Sequence, residues 1–329
     1  MNCEHEDKVF RVNEAGFEAL ALDIFRFQAQ NNAIYGEYIR HVGIDPVKVE
    51  KLSQIPFLPI SLFKTHKVIC GEFEPEVVFE SSGTTGMVSS KHLVKKTSIY
   101  TESFLKAFEL FYGAPSDWVI IGLLPSYLER SASSLVMMAD VLIKKSGKKE
   151  SGFYLYEHEK LAGVLTGLTE GKQKTILIGV SFALLDFGEQ FKMDLADMVI
   201  METGGMKGRR AEITRPELHR ELMDDFKVRS IHSEYGMTEL LSQAYSTGGG
   251  IFRCPPWMKA MVREEDDPLS VHSEGKGILN IIDLANIYSC SFIATDDIGI
   301  VNTNGSFEVQ GRMDNSDVRG CSLMVSDMR

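Results

Sequence analysis

Apolar runs alternate with amphipathic segments between residues 76 and 202, and this alternation restricts the chain to an α/β fold. The runs are rich in β-branched residues and lie at 76–81, 118–124, 175–180 and 197–202. Segments of helical period lie between them, at 97–112, 130–145 and 181–192. Such an alternation predicts a mostly parallel sheet with helices on its faces. Ligands of these sheets bind in loops at the carboxyl ends of the strands.

The regions on either side of this core have other patterns. Residues 14–44 have the period of one long amphipathic helix, which we expect to start at Val12 or Asn13 and to end by Gly43 and Pro46. After about residue 270, the runs GILNIIDL, SFIATDDIGIV and SFEVQGR predict antiparallel strands, with a turn at NTNGS. We therefore predict a helical N-terminal region (1–75), an α/β core (76–270) and a β-rich part that ends in a hinge-like segment and a cysteine tail (271–329).

Composition and charge exclude several classes of protein. A net charge of −11 opposes binding to a phosphate backbone, so no nucleic-acid partner is expected. The sequence has no apolar run long enough to span a bilayer, and its acidic N-terminus does not resemble a signal peptide, which predicts a cytoplasmic protein. Five cysteines without a CxxC pair indicate neither a disulfide framework nor a zinc knuckle. A metal site built from Cys254, His272 and Cys290 stays open.

A loop of hydroxyl side chains and glycines, SSGTTG, follows the apolar run at 76–81, and Lys91 comes shortly after it. Glycines allow several backbone N–H groups to point at one anion, and the hydroxyls add donors, so this loop suits a polyphosphate. Its spacing is not that of a Walker P-loop. A polar turn without function is the alternative. The residues of this loop are Ser81, Ser82, Gly83, Thr84, Thr85 and Gly86.

A second polar segment, HSEYGMTE, covers residues 232–239 and follows FKVRSI, which we predict to be a strand. Tyr235 offers a flat ring, Thr238 a hydroxyl and Glu239 a carboxylate. A carboxylate beside a phosphate implies a divalent cation between the two. The alternative is a packed tyrosine followed by a helix cap. His232 is the better candidate for a general base or for orienting a substrate carboxylate. We interpret His92 as a loop histidine whose hydrogen bonds are satisfied locally.

Two further polar segments lie near the C-terminus. ATDDIGIV places Asp296 and Asp297 side by side at a strand end, where like charges are unfavourable unless they are solvated or bind a ligand. A carboxylate is a suitable acceptor for ribose hydroxyls. GRMDNSDVRG carries Arg312, a suitable contact for sugar or phosphate. An exposed hairpin is the alternative for both.

These four segments, in this order, resemble the motifs of the adenylate-forming superfamily of acyl- and aryl-CoA ligases, peptide-synthetase adenylation domains and firefly luciferase. SSGTTG resembles its phosphate loop, YGMTE its Y-G-x-T-E motif, TDDIG its T-G-D-x-G motif with Asp in place of the middle Gly, and Gly311-Arg312 the start of its hinge motif. The resemblance covers about residues 50–320. It implies the large N-terminal domain of that superfamily, with mostly parallel sheets flanked by helices and a β-rich C-terminal part.

A closer resemblance is to the acyl-protein synthetases of the fatty acid reductase system in bacterial bioluminescence. That family carries an acyl-accepting cysteine near its C-terminus, and VRGCSLM places Cys321 eight residues before the last residue of this sequence. The stretch LLPSYLERSASSLVMM is also similar to that family. Most of the superfamily continues past the hinge into a small C-terminal domain with a catalytic lysine. Here the last lysine is Lys276, so we expect that domain to be lacking.

The resemblance implies specific roles for these residues. It implies ATP and Mg²⁺ as cofactors and a carboxylic acid, expected to be a fatty acid, as the substrate. Glu239 would ligate Mg²⁺, Thr238 would contact the α-phosphate, and Lys91 would compensate charge. Cys321 would carry the acyl group, and His232 would lie near the acyl pocket. The expected ATP-binding residues are Ser81, Ser82, Gly83, Thr84, Thr85, Gly86, Gly204, Gly205, Tyr235, Gly236, Asp297 and Arg312.

The implied reaction is formation of an acyl-AMP from acid and ATP, followed by transfer to the thiol of Cys321. The first alternative is a ligase similar to phenylacetate-CoA ligases, which would pass an aryl or acyl group to CoA or a carrier protein. The second is a nucleotide-binding subunit without catalysis. The resemblance also implies an acyl reductase or an acyl carrier as a partner.

Overall fold

The computed structural model describes residues 5–81, 88–124, 132–204 and 213–313. The helices in these ranges are α1 (Glu6–Val9), α2 (Glu14–Asn31), α3 (Ala33–His41), α4 (Leu62–Thr65), α5 (Thr97–Tyr112), α6 (Ser134–Ser146), α7 (His158–Glu170), α8 (Ser181–Gln190) and α9 (Arg215–Phe226). The strands are β1 (Leu58–Pro59), β2 (Val77–Glu80), β3 (Lys91–Val94), β4 (Val119–Leu123), β5 (Gly152–Phe153), β6 (Thr175–Val180), β7 (Val199–Thr203), β8 (His232–Tyr235), β9 (Ala244–Ser246), β10 (Ile251–Phe252), β11 (Met258–Arg263), β12 (Val271–His272), β13 (Gly275–Asp283), β14 (Phe292–Val301) and β15 (Phe307–Arg312). Within the same ranges, no helix has the length and apolar character that a membrane span requires.

The central sheet has the strand order β5-β4-β6-β7-β8-β9, and it is parallel from β5 to β8. β9 closes one edge in the antiparallel direction. β4 and β6 are buried at every position, and their near-continuous apolar sequences are typical of strands covered on both faces. The predicted α/β core is therefore confirmed, with strands near 118–124, 175–180 and 197–202 and helices that match α5, α6 and α8.

The first predicted strand does not belong to the parallel sheet. β2 pairs with β3 in a separate antiparallel hairpin, in which Phe79 lies opposite His92 and Glu80 opposite Lys91. The reason is that the sequence KHLV, just after the polar loop, forms β3 and so supplies a local partner for β2. The apolar periodicity did not predict this short strand. Residues 82–87 connect the two strands. The hairpin therefore flanks the predicted phosphate loop.

A second sheet of seven strands has the order β10-β15-β14-β13-β11-β12, with β1 pairing in parallel with β14. The three predicted C-terminal strands correspond to β13, β14 and β15, which are antiparallel neighbours. β14 and β15 are joined by the predicted turn, where Gly305 adopts a φ of 76°. The sheet also takes strands from before residue 271, namely β1, β10 and β11. All three predicted regions thus contribute to one sheet.

The predicted long N-terminal helix is broken into α2 and α3 at Asn32. The predicted start is confirmed, because the Asn13 side chain caps α2 by accepting from Gly16 N at 3.0 Å. Asn32 is extended, with φ −100° and ψ 107°, and its side chain caps α3 by accepting from Tyr35 N at 3.0 Å. Its amide donates to Ser289 O at 2.9 Å, so a long-range contact overrides the helical period.

The strand predicted at FKVRSI is wrong. α9 ends at Phe226, and Lys227 takes a left-handed conformation with φ 56°. The strand begins only at His232 and includes HSEY, which pairs in parallel with β7. Half of the predicted polar segment is therefore β8, and the turn begins after Tyr235.

Candidate functional site

Tyr235, Asp297 and Arg312 come together at the carboxyl end of β8. The Tyr235 hydroxyl donates to Asp297 Oδ2 at 2.9 Å. Asp297 and Arg312 are opposite each other on β14 and β15, with Arg312 Nε 3.8 Å from Asp297 Oδ1. Arg312 is also 4.0 Å from Asp296. Three residues that the sequence analysis selected separately therefore form one contact group at the edge where α/β sheets bind ligands.

Burial and charge set the protonation of this group. Burial raises the pKa of the Asp297 carboxyl, and the Arg312 charge opposes that shift. Burial also raises the pKa of Tyr235 well above its usual value, and the neighbouring Asp297 adds to the shift. Tyr235 therefore stays protonated, and its hydroxyl donates a hydrogen bond to Asp297. Its ring packs on Phe252 and Phe307, with centroids 5.7 and 5.2 Å away.

Glu239 lies in the turn after β8 and is 5% exposed. Burial raises the pKa of its carboxyl, while a hydrogen bond with Ser90 and the charges of Arg312 and Lys64 lower it. Ser90 in turn donates its N–H to Ser81 Oγ at 2.9 Å and accepts from Ser81 N at 3.1 Å. The Glu239 carboxylate therefore lies next to the hairpin that flanks the SSGTTG loop.

Asp283 anchors the chain that follows Glu239. Its Oδ2 accepts from Leu241 N at 2.7 Å and from Ser242 N at 3.0 Å. The Ser242 hydroxyl donates to Oδ1 at 2.5 Å. Burial raises the pKa of Asp283 to about 6, although these hydrogen bonds oppose the shift. The YGMTE turn is thus held from the end of β13 by a buried carboxylate.

His92 is buried on β3, with Nδ1 2.9 Å from Thr238 O and Nε2 3.0 Å from Asn286 Oδ1. Burial lowers its pKa to about 4, so the ring is neutral at neutral pH. Asn286 Nδ2 donates to Glu239 O at 2.8 Å. His92 is therefore a neutral buried histidine with an oxygen beside each ring nitrogen; it belongs to a strand and not to a loop, and it contacts the backbone of the second motif.

The remaining described candidates lie around this group. Lys91 is exposed, and its Nζ is 3.3 Å from Glu80 Oε1. His232 is half-buried on β8, where burial lowers its pKa and the Tyr112 hydroxyl is 3.1 Å from Nδ1. Gly204 follows β7 with a φ of 68°, a conformation that favours glycine, and its carbonyl accepts from Ser181 Oγ at 2.6 Å.

Other predicted site residues lie outside the described ranges. They are Ser82, Gly83, Thr84, Thr85, Gly86, Gly205 and Cys321. For the open metal site, no group of three or more His, Cys, Asp or Glu side chains within those ranges could hold a metal ion. Cys254, His272 and Cys290 are all within the described part and do not form such a group.

Several residues at this edge escaped the sequence analysis. Glu202 is buried at the end of β7, where Arg215 Nε is 3.2 Å and His219 Nε2 3.5 Å from its Oε1. Burial alone would raise the pKa of Glu202, but these two partners and a hydrogen bond with Ser233 together outweigh burial and lower the pKa. Glu234 and Asn286 were also missed. A charged residue inside an apolar strand, such as Glu202 in VIMET, was the available signal for the first; Asn286 carried none.

Comparisons with known proteins place these features in context. A family model described as "Acyl-protein synthetase, LuxE" matches residues 169–328. The chain is 24% identical over 329 residues to the long-chain-fatty-acid–luciferin-component ligase of Vibrio harveyi, which covers 92% of this chain and 85% of the relative. The ligase of the same name from Aliivibrio fischeri is 22% identical, covering 94% of this chain and 88% of that relative.

Solved structures agree on the fold. The crystal structure of 2-hydroxyisobutyryl-CoA ligase in the postadenylation state superposes with a TM-score of 0.62 at 12% identity, covering 94% of this chain and 70% of that chain. The fold is therefore that of the adenylate-forming superfamily, as the motif order predicted.

Proposed function

Since a family model of acyl-protein synthetases matches residues 169–328, we propose that the chain is a member of that family, that it activates a long-chain fatty acid with ATP and Mg²⁺ as acyl-AMP, and that it then passes the acyl group to a thiol. The names of both relatives support a fatty acid as the substrate class. The reaction type follows from the family, whereas the residue roles below are part of the proposal.

The contact group of Tyr235, Asp297 and Arg312 carries this proposal. A buried carboxylate with one tyrosine donor and one guanidinium beside it retains lone pairs for further donors, and ribose hydroxyls are donors of that kind. The same edge of the sheet has Gly204 on one side and the YGMTE turn on the other. These positions suit a nucleotide that lies across the ends of β7 and β8.

The donor set beside this group fits a magnesium ion held partly by phosphates. Glu239 offers one buried carboxylate, and the described residues contain no cluster that would form an all-protein metal cage. Magnesium in ATP-dependent enzymes is commonly held by one or two carboxylates together with substrate phosphates. When bound, the ion would neutralise phosphate charge and polarise the phosphoryl oxygens.

In the first step, a carboxylate oxygen of the acid attacks the α-phosphorus of ATP, the bond between the α-phosphorus and the bridging oxygen breaks, and pyrophosphate leaves. Two anions must approach each other, so positioning and charge compensation are the main work of the protein. Thr238 is proposed to contact the α-phosphate and Lys91 to compensate charge. The SSGTTG loop is proposed to hold the β- and γ-phosphates.

In the second step, a thiolate attacks the acyl carbon, the bond from that carbon to the phosphate oxygen breaks, and AMP leaves. The described cysteines support an acceptor elsewhere. Burial raises the pKa of Cys254 and of Cys290 to about 12, so neither forms a thiolate readily. Cys70 is also buried. We assign the acceptor role to Cys321 because its position near the C-terminus resembles that of the acyl-accepting cysteine of the acyl-protein synthetases, and an acyl reductase or an acyl carrier would take the acyl group from it.

Acid-dependent exchange of radiolabelled pyrophosphate into ATP tests the activation step. We expect exchange with fatty acids of increasing chain length, an optimum at one length, and no exchange without Mg²⁺ or with aromatic acids. Failure of every acid to support exchange, in folded protein that still binds ATP, would contradict the proposal. Exchange with aromatic acids alone would favour the phenylacetate-type alternative.

A further inference from the structure

Two buried side chains join the hairpin of the phosphate loop to the YGMTE turn. His92 on β3 reaches Thr238 O with Nδ1 at 2.9 Å and Asn286 Oδ1 with Nε2 at 3.0 Å. Asn286 Nδ2 donates to Glu239 O at 2.8 Å. His92 and Asn286 are each 1% exposed. We call this pair of side chains the His92–Asn286 clamp.

Asn286 is fixed on the opposite side of the clamp. Its carbonyl accepts from Gln28 Nε2 at 3.0 Å, and its N–H donates to Asp283 O at 3.1 Å. Asp283 is also the residue that anchors Leu241 and Ser242 after the turn. The backbone of Asn286 is therefore held by an N-terminal helix and by the end of β13, and its side-chain amide has a defined direction. A pair held in this way can set the position of the two carbonyls that it contacts.

The clamp also has a defined position relative to the phosphate loop. His92 is paired with Phe79 across the hairpin, and Lys91 with Glu80. These strands flank residues 82–87. Ser90, two residues before His92, contacts both Ser81 and Glu239. A shift of Thr238 relative to β3 would thus change the distance between the two proposed halves of the nucleotide site.

We propose that His92 and Asn286 are positioning residues for acid activation, which hold the backbone of Thr238 and Glu239 in register with the phosphate-loop hairpin. The inference rests on the function proposed above. Neither side chain needs to touch the substrate, because both act through backbone carbonyls of residues that do. A misplacement of about 1 Å in such a constellation can lower the rate by roughly 100-fold.

The ring acts here through its nitrogens and not through a charge. Burial keeps the imidazole neutral, so it carries one N–H and donates to one of the two oxygens that face it. The ring also has an edge contact with Phe63, with centroids 5.9 Å apart. A phenylalanine in its place keeps the ring and this packing but removes both nitrogens. A glutamine loses the ring but keeps an N–H that can reach a carbonyl.

Four variants test the clamp: His92→Phe, His92→Gln, Asn286→Asp and, as the control, Tyr35→Phe. Asn286→Asp keeps the side-chain shape and replaces the donor to Glu239 O with an oxygen. The control removes one buried hydrogen bond, from the Tyr35 hydroxyl to Pro56 O at 2.7 Å, in which neither residue of the clamp takes part. Acid-dependent pyrophosphate exchange gives kcat and KM for ATP, and thermal unfolding gives the stability of each variant.

We expect kcat/KM for ATP to fall by roughly 10- to 100-fold in His92→Phe and Asn286→Asp, and by clearly less in His92→Gln. For Tyr35→Phe, kcat/KM should stay within about 2-fold of the wild-type value, even if its unfolding temperature falls as much as that of the clamp variants. A purely structural role predicts the opposite order for the two His92 variants, because phenylalanine preserves the packing. Activity of His92→Phe at or above that of His92→Gln, in folded protein, would overturn the inference.

The test separates this inference from the proposed function. Wild-type protein without acid-dependent exchange contradicts the function before the clamp is examined. Wild-type protein with exchange, together with clamp variants that match Tyr35→Phe in kcat and in KM, contradicts the clamp alone. If both His92 variants unfold at the assay temperature, Asn286→Asp is the deciding variant. A lower kcat/KM than that of Tyr35→Phe supports the clamp, and an equal value contradicts it.

Discussion

The carboxylate of Glu234 occupies the space that a Cβ on Gly236 would need. Thr203 Oγ1 holds that carboxylate by donating to its Oε2 at 2.5 Å, so the side chain is tied to the end of β7. A glycine at this position of YGMTE therefore leaves room for the side chain of Glu234, which lies two residues earlier on β8. The hydrogen bond from Thr203 joins the end of β7 to β8, just before the turn that contains Glu239.

A substitution of Gly236 by alanine should break this contact. The added Cβ displaces the Glu234 carboxylate from Thr203, which should lower the free energy of unfolding by about 1–2 kcal/mol. In a Glu234→Ala background the same substitution should have little effect. A double-mutant cycle by urea denaturation measures the coupling. Equal costs of Gly236→Ala in both backgrounds would show that Glu234 is not the residue that excludes a side chain there.

Glu234 should also make stability depend on pH. Burial raises its pKa to about 7, with Glu202 adding to the shift and the Thr203 hydrogen bond opposing it. The folded state therefore binds more protons than the unfolded chain, whose glutamates titrate near about 4.3. The stability term is full below that pH and is lost as the pH rises towards about 7.

Glu234→Gln should remove this loss. Relative to the wild type, the variant should gain up to about 3 kcal/mol between pH 5 and pH 8. Urea denaturation at both pH values measures it, with Glu109→Gln at an exposed position of α5 as the control. A wild type and a Glu234→Gln protein that lose stability in parallel across this range would contradict the assignment.

Loss of the contact between Tyr235 and Asp297 should raise KM for ATP. Tyr235→Phe removes the donor to Asp297 Oδ2 but keeps the packing on Phe252 and Phe307. Asp297→Asn removes the charge that Arg312 faces. We expect each to raise KM for ATP by roughly 10-fold, since a hydrogen bond to a charged group contributes about 1.5–3 kcal/mol. Asp296→Asn, the neighbouring carboxylate, should change KM by less than about 3-fold.

Pyrophosphate exchange at varied ATP concentrations gives these KM values. An effect of Asp296→Asn equal to that of Asp297→Asn would show that the general negative charge of this strand matters, and not the contact group. Unchanged KM in both Tyr235→Phe and Asp297→Asn would move the ribose site away from the end of β8.

The fold was predictable from the sequence where a pattern is local and continuous. β4 and β6 are apolar at nearly every position, and only a strand covered on both faces is expected to have such a sequence. The break at Asn32 was not predictable, because its reason is a hydrogen bond to Ser289, 257 positions away along the chain. The partner of β2 was missed for a different reason, since a four-residue strand gives too short a pattern.

The site shows the same limit. Tyr235, Asp297 and Arg312 were selected from motif resemblance, and their mutual contacts are found only in the structure. Asn286 stands in a turn with no periodic or compositional signal, so its contact with Glu239 O was invisible to sequence reasoning. Polar residues that act through backbone carbonyls leave little trace in a single sequence.

Acyl loading of Cys321 is the decisive measurement for the proposed two-step reaction. Wild-type protein and a Cys321→Ser variant are incubated with fatty acid, ATP and Mg²⁺, and intact mass and hydroxylamine sensitivity are measured. We predict one thioester-linked acyl group on the wild type and none on Cys321→Ser, with pyrophosphate exchange preserved in both. A Cys321→Ser protein that carries the acyl thioester as the wild type does, or a wild type that exchanges pyrophosphate without ever carrying acyl, would contradict it.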